Sequence, residues 1–317
     1  MADRPFFIAT RGSALALAQA NAVLAQCRAA FPGQPFDLKI IRTTGDKLLT
    51  ASLSQPDLPK GLFTKELESA LLSGEADLAV HSLKDLPTDL PPGLTLGAAG
   101  ERAEVRDVLI GRQAAGQAAR AIDALPPGAT IATSSTRRGS QLLDRRPDLK
   151  VVPLRGNVGT RLRKLAEQPA LDGILLAAAG LQRLAFTLAP DGSLLGPEVP
   201  PGLVATLLGL EEMLPAVGQA ALGLEIREGD ARAAAICAQL NHPDTWSGVA
   251  AERAFLKAMG GGCHLAVAAY AQVLDHQLHL RAVSFLSGRP RRGEARGPVT
   301  EPVELGQQLA GELGAGL

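Results

Sequence analysis

Short apolar runs alternate with longer stretches of helical periodicity in the first part of the chain. Phe6–Thr10 is such a run, and the Ala- and Leu-rich stretch Ala14–Ala30 that follows has the pattern of a helix. Asp37–Arg42 and Asp77–Val80 have the length and composition of further strands, and Thr64–Ser73 that of a helix. Strands separated by helices predict a parallel sheet, because parallel neighbours require a long crossover between them.

The same pattern recurs in the middle of the chain. Ala129–Thr133, Lys150–Leu154 and Gly173–Ala177 are apolar runs, and a helical stretch follows each. Pro190–Pro201 is rich in Pro and Gly and interrupts the pattern, and Ala220–Ile226 then resembles a strand that returns to a sheet. Two similar sets of elements predict two α/β lobes with a ligand cleft between them.

The last part of the chain has a different pattern. Val249–Met259 is a predicted helix, and the alternating stretches Leu265–Val273 and Gln277–Phe285 are predicted strands. Leu274–His276 between them is a hairpin signal, and a final helix is expected to begin near Val303. This pattern predicts a small α+β domain.

The predicted fold class is therefore α/β, with two α/β lobes and a small C-terminal α+β domain. We expect the first lobe to comprise residues 1–103 together with 205–224, and the second lobe residues 104–204. The C-terminal domain is expected over residues 225–317. The charged segment Gly100–Asp107 and the segment Pro200–Ala205 are the predicted crossings between the lobes.

Composition limits the function classes. The 317 residues have a formal net charge of +0 and contain only eight Phe, one Trp and one Tyr, which argues against nucleic-acid binding. No apolar run reaches membrane-spanning length, and the amino terminus lacks a signal peptide's pattern, so we expect a cytoplasmic protein. The three cysteines lack the CxxC spacing of a zinc site, so no metal is predicted.

Positive charge is concentrated between Ser134 and Lys164. Nine cations lie there against two acids, in a chain without net charge. Arg145, Arg146, Arg163 and Lys164 fit a solvated helix face. The other arginines follow predicted strands or begin predicted helices, where anions bind readily, so they indicate a site for carboxylates or phosphates: Arg137, Arg138, Arg155 and Arg161.

Polar side chains also follow the predicted strand Asp77–Val80, in the order His81-Ser82-Leu83-Lys84-Asp85. His81 is expected to be a hydrogen-bonded structural residue. For Asp85 the pattern leaves two interpretations open. A turn aspartate commonly caps backbone N–H groups, whereas a carboxylate in a cationic crevice can be catalytic.

Cys263 differs from Cys27 and Cys237, which lie in Ala-rich helical stretches and are expected in the core. Three glycines precede Cys263 and His264 follows it. The glycines either leave the sulfur accessible for chemistry or only make the turn from a helix to a strand. The residues alone leave both interpretations open.

Thr44–Lys60 is rich in Ser, Pro and Asp and predicts a surface loop, which Lys60-Gly61-Leu62-Phe63 closes. From pattern alone, Phe63 is expected to staple the next helix to the core.

Seven motifs in order together resemble the porphobilinogen deaminase (hydroxymethylbilane synthase) family, from residue 6 to about residue 290. No single motif is decisive, but the order and spacing of all seven are very specific. The motifs are Arg11-Gly12-Ser13 with Leu15-Ala16-Leu17, Lys60-Gly61-Leu62-Phe63-Thr64-Lys65-Glu66-Leu67-Glu68, Val80-His81-Ser82-Leu83-Lys84-Asp85, Thr133-Ser134-Ser135-Thr136-Arg137-Arg138, Leu154-Arg155-Gly156-Asn157-Val158-Gly159-Thr160-Arg161, Leu214-Pro215-Ala216-Val217-Gly218-Gln219 and Gly261-Gly262-Cys263.

The resemblance implies a transferase of tetrapyrrole (haem and chlorophyll) biosynthesis. Its members join four porphobilinogen molecules head to tail, with release of ammonia, to give hydroxymethylbilane. The product grows on a dipyrromethane cofactor, which the cysteine matching Cys263 holds through a thioether. The resemblance also implies two lobes like those of periplasmic binding proteins and a monomer that passes its product to uroporphyrinogen-III synthase, with neither nucleic acid nor a membrane as a partner.

The resemblance assigns roles to residues of this chain. Asp85 matches the catalytic aspartate, which stabilises positive charge as ammonia leaves and assists proton transfers. Lys60 and Phe63 match a loop over the active site. The residues implied to bind the cofactor are Cys263, Ser13, Ser82, Lys84, Thr133, Ser135, Arg137, Arg138, Arg155, Gly156, Arg161, Arg183 and Gln219. Those implied to bind substrate are Arg11, Ser13, Arg155, Arg161 and Arg183.

The chain departs from the family pattern at three places: Asp57-Leu58-Pro59 stands where glycines are common, Ala220 follows Gln219 in place of a glycine, and His264 follows the cysteine in place of a residue such as glutamine. None of these removes a residue that the chemistry requires. The alternative function is a non-catalytic two-lobe binding protein for a polyanionic small molecule, which explains the arginines but not the Gly-Gly-Cys segment.

Overall fold

The computed structural model describes residues 4–44, 64–112, 121–262 and 264–314. Its strands are β1 (Phe6–Arg11), β2 (Phe36–Ile41), β3 (Leu78–Ser82), β4 (Leu94–Ala99), β5 (Asp107–Arg112), β6 (Thr130–Ala132), β7 (Lys150–Val152), β8 (Gly173–Ala177), β9 (Thr187–Leu188), β10 (Leu194–Leu195), β11 (Leu203–Leu207), β12 (Leu222–Arg227), β13 (Val267–Leu274), β14 (Gln277–Ser284) and β15 (Arg291–Pro298).

The helices alternate with strands in the first two thirds of the chain. They are α1 (Ala14–Ala30), α2 (Lys65–Leu72), α3 (Thr136–Arg145), α4 (Val158–Glu167), α5 (Ala178–Arg183), α6 (Ala231–Leu240), α7 (Pro243–Ala258) and α8 (Pro302–Gly314). Two short 3₁₀ turns span Leu83–Asp85 and Ile122–Ala124.

A first sheet of five strands has the order β2-β1-β3-β12-β4. β1 pairs in parallel with β2 and β3, and β12 pairs antiparallel with β3 and β4. Alternate residues of these strands point to opposite faces, so one face packs with α1 and α6 and the other with α2. The buried ring of Phe6 on the first face contacts Phe36, with ring centroids 5.5 Å apart.

A second sheet has the order β11-β5-β8-β6-β7. β6 pairs in parallel with β7 and β8, whereas β5 is antiparallel to both β8 and β11. Its buried residues form two clusters, one with Leu162 and Leu165 of α4 and the other with Leu142 of α3. β9 and β10 form a separate two-stranded hairpin.

The antiparallel sheet β13-β14-β15 and the helices α7 and α8 form a third unit with its own core. Asp275 and His276 between β13 and β14 have positive φ values of 48° and 62°, as expected for a tight hairpin turn. α7 and α8 cross closely at Gly306, where a Cβ atom would lie 2.2 Å from the Ala251 carbonyl oxygen.

Two α/β units and a small α+β unit confirm the predicted fold class. The observed pairings differ from the predicted domain boundaries in two places. β11 pairs with β5 in the second sheet, so the segment that completes the first sheet is β12 rather than residues from 205 onward. α6 buries Ala233, Ile236 and Cys237 in the core of the first sheet, so the third unit begins after α6 and not at residue 225.

The crossings between the two sheets consequently run over residues 100–106 and 208–221, and the second lies later in the chain than Pro200–Ala205. Most predicted strands and helices agree with the structure to within about three residues, but α7 begins six residues earlier than expected, at Pro243. His242 accounts for this, because its ring accepts a hydrogen bond from the Thr245 backbone N–H and caps the helix.

No helix among the described residues is both long and apolar enough to cross a membrane.

Candidate active site

The carboxyl-terminal edge of the first sheet carries one group of predicted site residues. Arg11 is the last residue of β1, and Ser13 caps α1 by accepting a hydrogen bond from the Ala16 backbone N–H at 3.3 Å. Lys84 and Asp85 lie in the 3₁₀ turn directly after β3, and Asp85 is exposed. These residues share one edge because β1 and β3 are parallel neighbours.

The second sheet presents a matching edge. Thr133 follows β6, and its hydroxyl accepts a hydrogen bond from the Ser135 backbone N–H at 3.2 Å. Ser135 caps α3 by accepting from the Arg138 backbone N–H, so Arg137 and Arg138 lie in the first turn of that helix. Both arginines are buried, at 5% and 6% exposed.

Asp107 is a buried carboxylate among the predicted site residues that the sequence analysis missed. It begins β5, is fully buried, and pairs in register with Ala177 at the end of β8. Its two carboxylate oxygens lie 2.8 Å from Arg137 Nη2 and 2.7 Å from Arg138 Nη2. Burial opposes ionisation of Asp107, but Arg137, Arg138 and Lys84 outweigh it and hold the pKa of the carboxyl well below its usual range.

Gln219 joins the two edges. It is fully buried in the crossing that precedes β12, and its Nε2 donates to the Asp107 carboxylate at 2.9 Å and to the Val105 carbonyl at 2.8 Å. Its Oε1 lies 3.5 Å from Lys84 Nζ, which is the outer limit for a hydrogen bond. The cations of both sheets therefore meet around one Asp–Gln pair.

Lys84 has an altered acidity in this environment. Burial lowers the pKa of its ammonium group to about 8, and the nearby Arg138 and Arg137 act in the same direction. Asp85 and Asp107 oppose the change by stabilising the charged form. A ligand carboxylate beside Lys84 would stabilise the charged form of its ammonium group, so this position favours binding of an anion.

Three further arginines of the predicted site differ in exposure. Arg155 follows β7 and is exposed, whereas Arg161 and Arg183 are half-buried. Arg161 Nε donates to the Gly156 carbonyl at 2.8 Å, and Gly156 has a φ of +127° that its lack of a side chain permits. Burial lowers the pKa of Arg161, and it lowers the pKa of Arg183 to about 10.

Ala220, one of the departures from the family pattern, has a φ of 72°, a left-handed conformation that glycine would adopt without strain. Its carbonyl oxygen accepts a hydrogen bond from Arg183 Nη2. Ala220 therefore keeps the backbone conformation that a glycine would adopt here, and its carbonyl oxygen contacts Arg183.

The neutral side chains predicted to bind ligand are already engaged in part. Ser82 accepts a hydrogen bond from Gln19 Nε2 at 2.8 Å, which ties the end of β3 to α1.

His81 is buried, with Nε2 2.9 Å from a carboxylate oxygen of Glu225, which confirms its predicted structural role. Arg145 and Arg146 pair with Asp123 and Asp148 away from the cleft.

Asp85 faces a cavity of about 180 Å³ between the first sheet and the third unit. Lys84, Arg253 and His264 also line it, together with the glycines 260–262 that precede Cys263. The three glycines have φ values of 105°, 64° and 106°. The His264 carbonyl accepts a hydrogen bond from Thr136 Oγ1 of α3 at 2.8 Å, so this segment also contacts the second lobe.

Cys263, Lys60 and Phe63 lie outside the described residues. Residues 57–59, where the chain departs from the family pattern, also lie outside them. Among the described residues, no group of three or more His, Cys, Asp or Glu side chains is arranged to hold a metal ion.

Comparisons with known proteins show the family of the chain. A family model described as porphobilinogen deaminase, dipyromethane cofactor binding domain, matches residues 6–235, and one described as porphobilinogen deaminase, C-terminal domain, matches residues 246–315. The chain belongs to the porphobilinogen deaminase family. The interval between the two matches, residues 236–245, runs from the second half of α6 into the first turn of α7.

Curated members of the porphobilinogen deaminase family resemble the chain over nearly its whole length. The porphobilinogen deaminase of Pelobacter propionicus is 44% identical over 315 residues, which are 99% of this chain and 94% of the relative. That of Moorella thermoacetica is 46% identical over 308 residues, which are 96% of this chain and 92% of the relative.

Solved structures with a similar arrangement include the VFT2 domain of Bordetella pertussis BvgS, with a TM-score of 0.43 and 19% identity, covering 74% of this chain and 85% of that one. Another is the BenM effector binding domain with its effector benzoate, with a TM-score of 0.41 and 14% identity, covering 73% of this chain and 86% of that one.

The described residues fit the dipyrromethane cofactor of the family. Each ring of such a cofactor carries acetate and propionate side chains, so its binding site needs several hydrogen-bond donors with positive charge. The Nε–H groups of Arg137 and Arg138 are buried and find no hydrogen-bond acceptor among the described residues. Spare donors of this kind, beside Lys84, suit a ligand with several carboxylates.

Proposed function

We propose that the chain condenses four porphobilinogen molecules head to tail into hydroxymethylbilane, with release of ammonia, in the cleft between the first and second sheets. The observation that carries this proposal is the convergence of cations from both sheets on one Asp–Gln pair, with the exposed carboxylate of Asp85 beside them. A growing product with carboxylates on every ring needs such a cleft.

We further propose that Cys263 holds the dipyrromethane through a thioether. A thiolate is a strong nucleophile and a thioether resists hydrolysis, so a cysteine suits a permanent tether. When bound, the dipyrromethane supplies the pyrrole carbon at which the product grows. The glycines 260–262 lie in the cavity that Asp85 lines, which supports a tether close to the catalytic carboxylate.

Arginine and lysine side chains hold the carboxylates of cofactor and substrate. Arg137 and Arg138, which are buried, and the half-buried Lys84 are assigned to the cofactor. The hydroxyl groups and amide assigned with them are those of Ser13, Ser82, Thr133, Ser135 and Gln219. Arg155, Arg161 and Arg183 are assigned to both cofactor and substrate, Gly156 to the cofactor, and Arg11 and Ser13 also to the substrate. Permanently charged, planar guanidinium groups suit bidentate binding of carboxylates.

Asp85 is assigned as the catalytic residue. As ammonia leaves porphobilinogen, positive charge develops over the pyrrole ring and its N–H group becomes more acidic. The Asp85 carboxylate stabilises that charge by accepting a hydrogen bond from the pyrrole N–H. The same oxygen can hold a proton as the ring loses one after each addition.

The three cores are proposed as three domains, with residues 231–240 in the first. We also propose that the protein is a cytoplasmic monomer that passes hydroxymethylbilane to uroporphyrinogen-III synthase. Lys60 and Phe63 are proposed to belong to a loop over the active site.

The test of this proposal is the intact mass of denatured protein, wild type beside Cys263→Ser, because denaturation removes any non-covalent ligand. We expect an excess mass of two linked pyrrole units on the wild type and none on the variant. If the wild type has the mass of the bare sequence, porphobilinogen is added and the protein is weighed again. Continued absence of an adduct would contradict the enzyme function and favour a non-catalytic binding protein for polyanionic molecules.

A further inference from the structure

Arg253 of α7 binds the backbone directly after Asp85. Its guanidinium group donates to three successive carbonyl oxygens: Leu86 at 3.2 Å, Pro87 at 2.7 Å and Thr88 at 3.3 Å. Asp85 belongs to the first lobe and Arg253 to the third unit, so this contact joins two units at the catalytic turn.

The other side of the same turn is held by the crossing before β12. The Leu83 backbone N–H donates to the Ala221 carbonyl at 3.1 Å, and Leu83 packs against Gly218, where a Cβ atom would lie 3.0 Å from the Leu83 Cγ. Asp85 therefore lies between two fixed points, Leu83 and the carbonyls bound by Arg253. Because its own side chain is exposed, the position of its carboxylate depends on this backbone.

The helix that carries Arg253 also leads to the cysteine segment. The Gly261 backbone N–H donates to the Leu256 carbonyl at 2.9 Å, one turn after Arg253. Arg253, Leu256 and the glycines 260–262 line the cavity together with Asp85. α7 is thus a common support for the catalytic turn and for the segment before Cys263.

We propose that Arg253 is a positioning residue for the condensation reaction, which sets the distance between the Asp85 carboxylate and the reacting groups by holding the carbonyls of residues 86–88. The proposal rests on the catalytic role proposed for Asp85. The carbonyls that take up the donors of Arg253 are three successive ones, and all of them lie in the segment directly after Asp85. Catalytic rates fall steeply when a reacting group is displaced by about 1 Å, so loss of this contact reduces the rate of the chemical step.

A lysine on the same helix provides a matched control. Lys257 forms a 2.6 Å ion pair with Asp89 at the end of the same turn, and both side chains are largely exposed. Exposed ion pairs contribute little, so Lys257→Gln removes one charge and one contact to this turn without moving residues 86–88.

The experiment compares wild type, Arg253→Gln, Arg253→Lys and Lys257→Gln for steady-state porphobilinogen consumption. We expect Arg253→Gln to lower kcat at least tenfold with KM changed less than twofold, and Lys257→Gln to change both less than twofold. Arg253→Lys retains the charge but has fewer donors, so its kcat is expected to lie between those of wild type and Arg253→Gln. The intact mass of each variant is expected to show the same cofactor adduct as the wild type.

A second comparison uses Asp85→Glu, which moves the carboxylate by one methylene group. If Arg253 acts through the placement of Asp85, Arg253→Gln reduces kcat at least fivefold less in the Asp85→Glu protein than in the wild type. An equal reduction in both would overturn the positioning role, as would wild-type kcat in Arg253→Gln, or an effect on KM alone.

If Arg253→Gln does not accumulate as folded protein, Arg253→Lys decides the question, because wild-type kcat in that variant likewise overturns the inference. The failure of the proposed function has a different signature. In that case the wild type and Lys257→Gln also lack turnover and the adduct, whereas failure of this inference leaves both intact.

Discussion

Asp107 compensates the charge of the two most buried arginines of the cleft. Without it, Arg137 and Arg138 would place two uncompensated charges in a site with little contact with water, which is costly. With it, the cluster of Lys84, Arg137 and Arg138 still carries an excess of positive charge. The site is therefore stable enough to fold and remains attractive to carboxylates.

The acidity of Lys84 leads to a prediction at this scale. Its pKa of about 8 in the folded protein is below the value of about 10.4 for an unperturbed lysine. Between these two values the unfolded chain binds more protons than the folded one, so the contribution of Lys84 to the free energy of unfolding rises with pH. Below about pH 8 the buried charge lowers stability.

The prediction compares Cys263→Ser with the double variant Cys263→Ser/Lys84→Met. Between pH 7 and pH 9.5, we expect the difference between their free energies of unfolding to change by about 2 kcal/mol, in favour of the protein that retains Lys84. Chemical denaturation at both pH values measures it. A difference of two proteins is needed because burial also raises the pKa of Cys27 to about 11 and of Cys237 to about 12, which lowers stability in alkali in both proteins alike. A difference that does not vary with pH would contradict the altered acidity of Lys84.

At the scale of elements, the site depends on helix starts and on close helix packing. Ser13, Ser135 and Asn157 each cap a helix at the edge of the cleft, and each accepts a backbone hydrogen bond from the first turn. Those helices begin beside the anion site, where their N-terminal partial charge adds to the attraction for carboxylates. The position of the glycines 260–262 depends on α7, which they follow, and α8 packs closely against α7.

The crossing of α7 and α8 leads to a prediction with an internal control. Gly306→Ala places a Cβ atom 2.2 Å from the Ala251 carbonyl oxygen and 2.8 Å from the Phe255 backbone nitrogen, so the two helices must separate. We expect the free energy of unfolding to fall by about 3 kcal/mol, the upper end for overpacking. Circular dichroism during denaturation provides the measurement.

Gly311→Ala on the same helix is the control. A Cβ atom there would contact nothing within 4 Å, and the position is exposed. Alanine favours the helix, so this change is expected to raise stability by about 0.5–1 kcal/mol. Equal effects of the two substitutions would show that close packing at Gly306 does not hold α7.

At the scale of the whole molecule, one buried ion pair connects three parts of the chain. Arg102 lies in the first crossing, and its Nη1 and Nη2 donate to the Glu252 carboxylate of α7 at 2.6 Å and 3.0 Å. Glu252 also accepts from the backbone N–H groups of Gly218 at 2.7 Å and Ala271 at 2.8 Å. Arg102 Nε donates to the Gln219 carbonyl at 2.9 Å, so both crossings and the third unit share this contact.

Glu252→Gln is expected to lower the free energy of unfolding by about 4 kcal/mol. The substitution leaves Arg102 without its counter-charge and points an N–H group at backbone donors, and breaking a buried pair typically costs this much. Thermal and chemical denaturation both measure the loss. Arg281→Gln serves as the comparison, because it removes a 2.6 Å ion pair between the third unit and the exposed Glu211 of the second crossing and should cost less than about 1 kcal/mol. Similar losses in both variants would argue against Glu252 as the principal connection.

The sequence by itself determined the local part of this protein. Apolar periodicity and helix-start residues are properties of neighbouring residues, so the strand–helix units such as Phe6–Arg11 with Ala14–Ala30 could be predicted closely. The same patterns placed cations after strand ends, and the order of seven motifs identified the family. β15 escaped prediction because its sequence, RRGEARGP, has almost no apolar residues and is ordered by pairing with β14.

Only the tertiary structure decided which distant residues meet. Asp107 contacts Arg138 across 31 positions, Gln219 contacts Asp107 across 112, and Arg253 contacts Pro87 across 166. Nothing within a window of neighbouring residues distinguishes Asp107 or Arg253 from any surface charge. Their roles arise from burial and from the strand order, in which β12 inserts between β3 and β4 and brings Gln219 to the cleft, and burial and strand order exist only once the chain has folded.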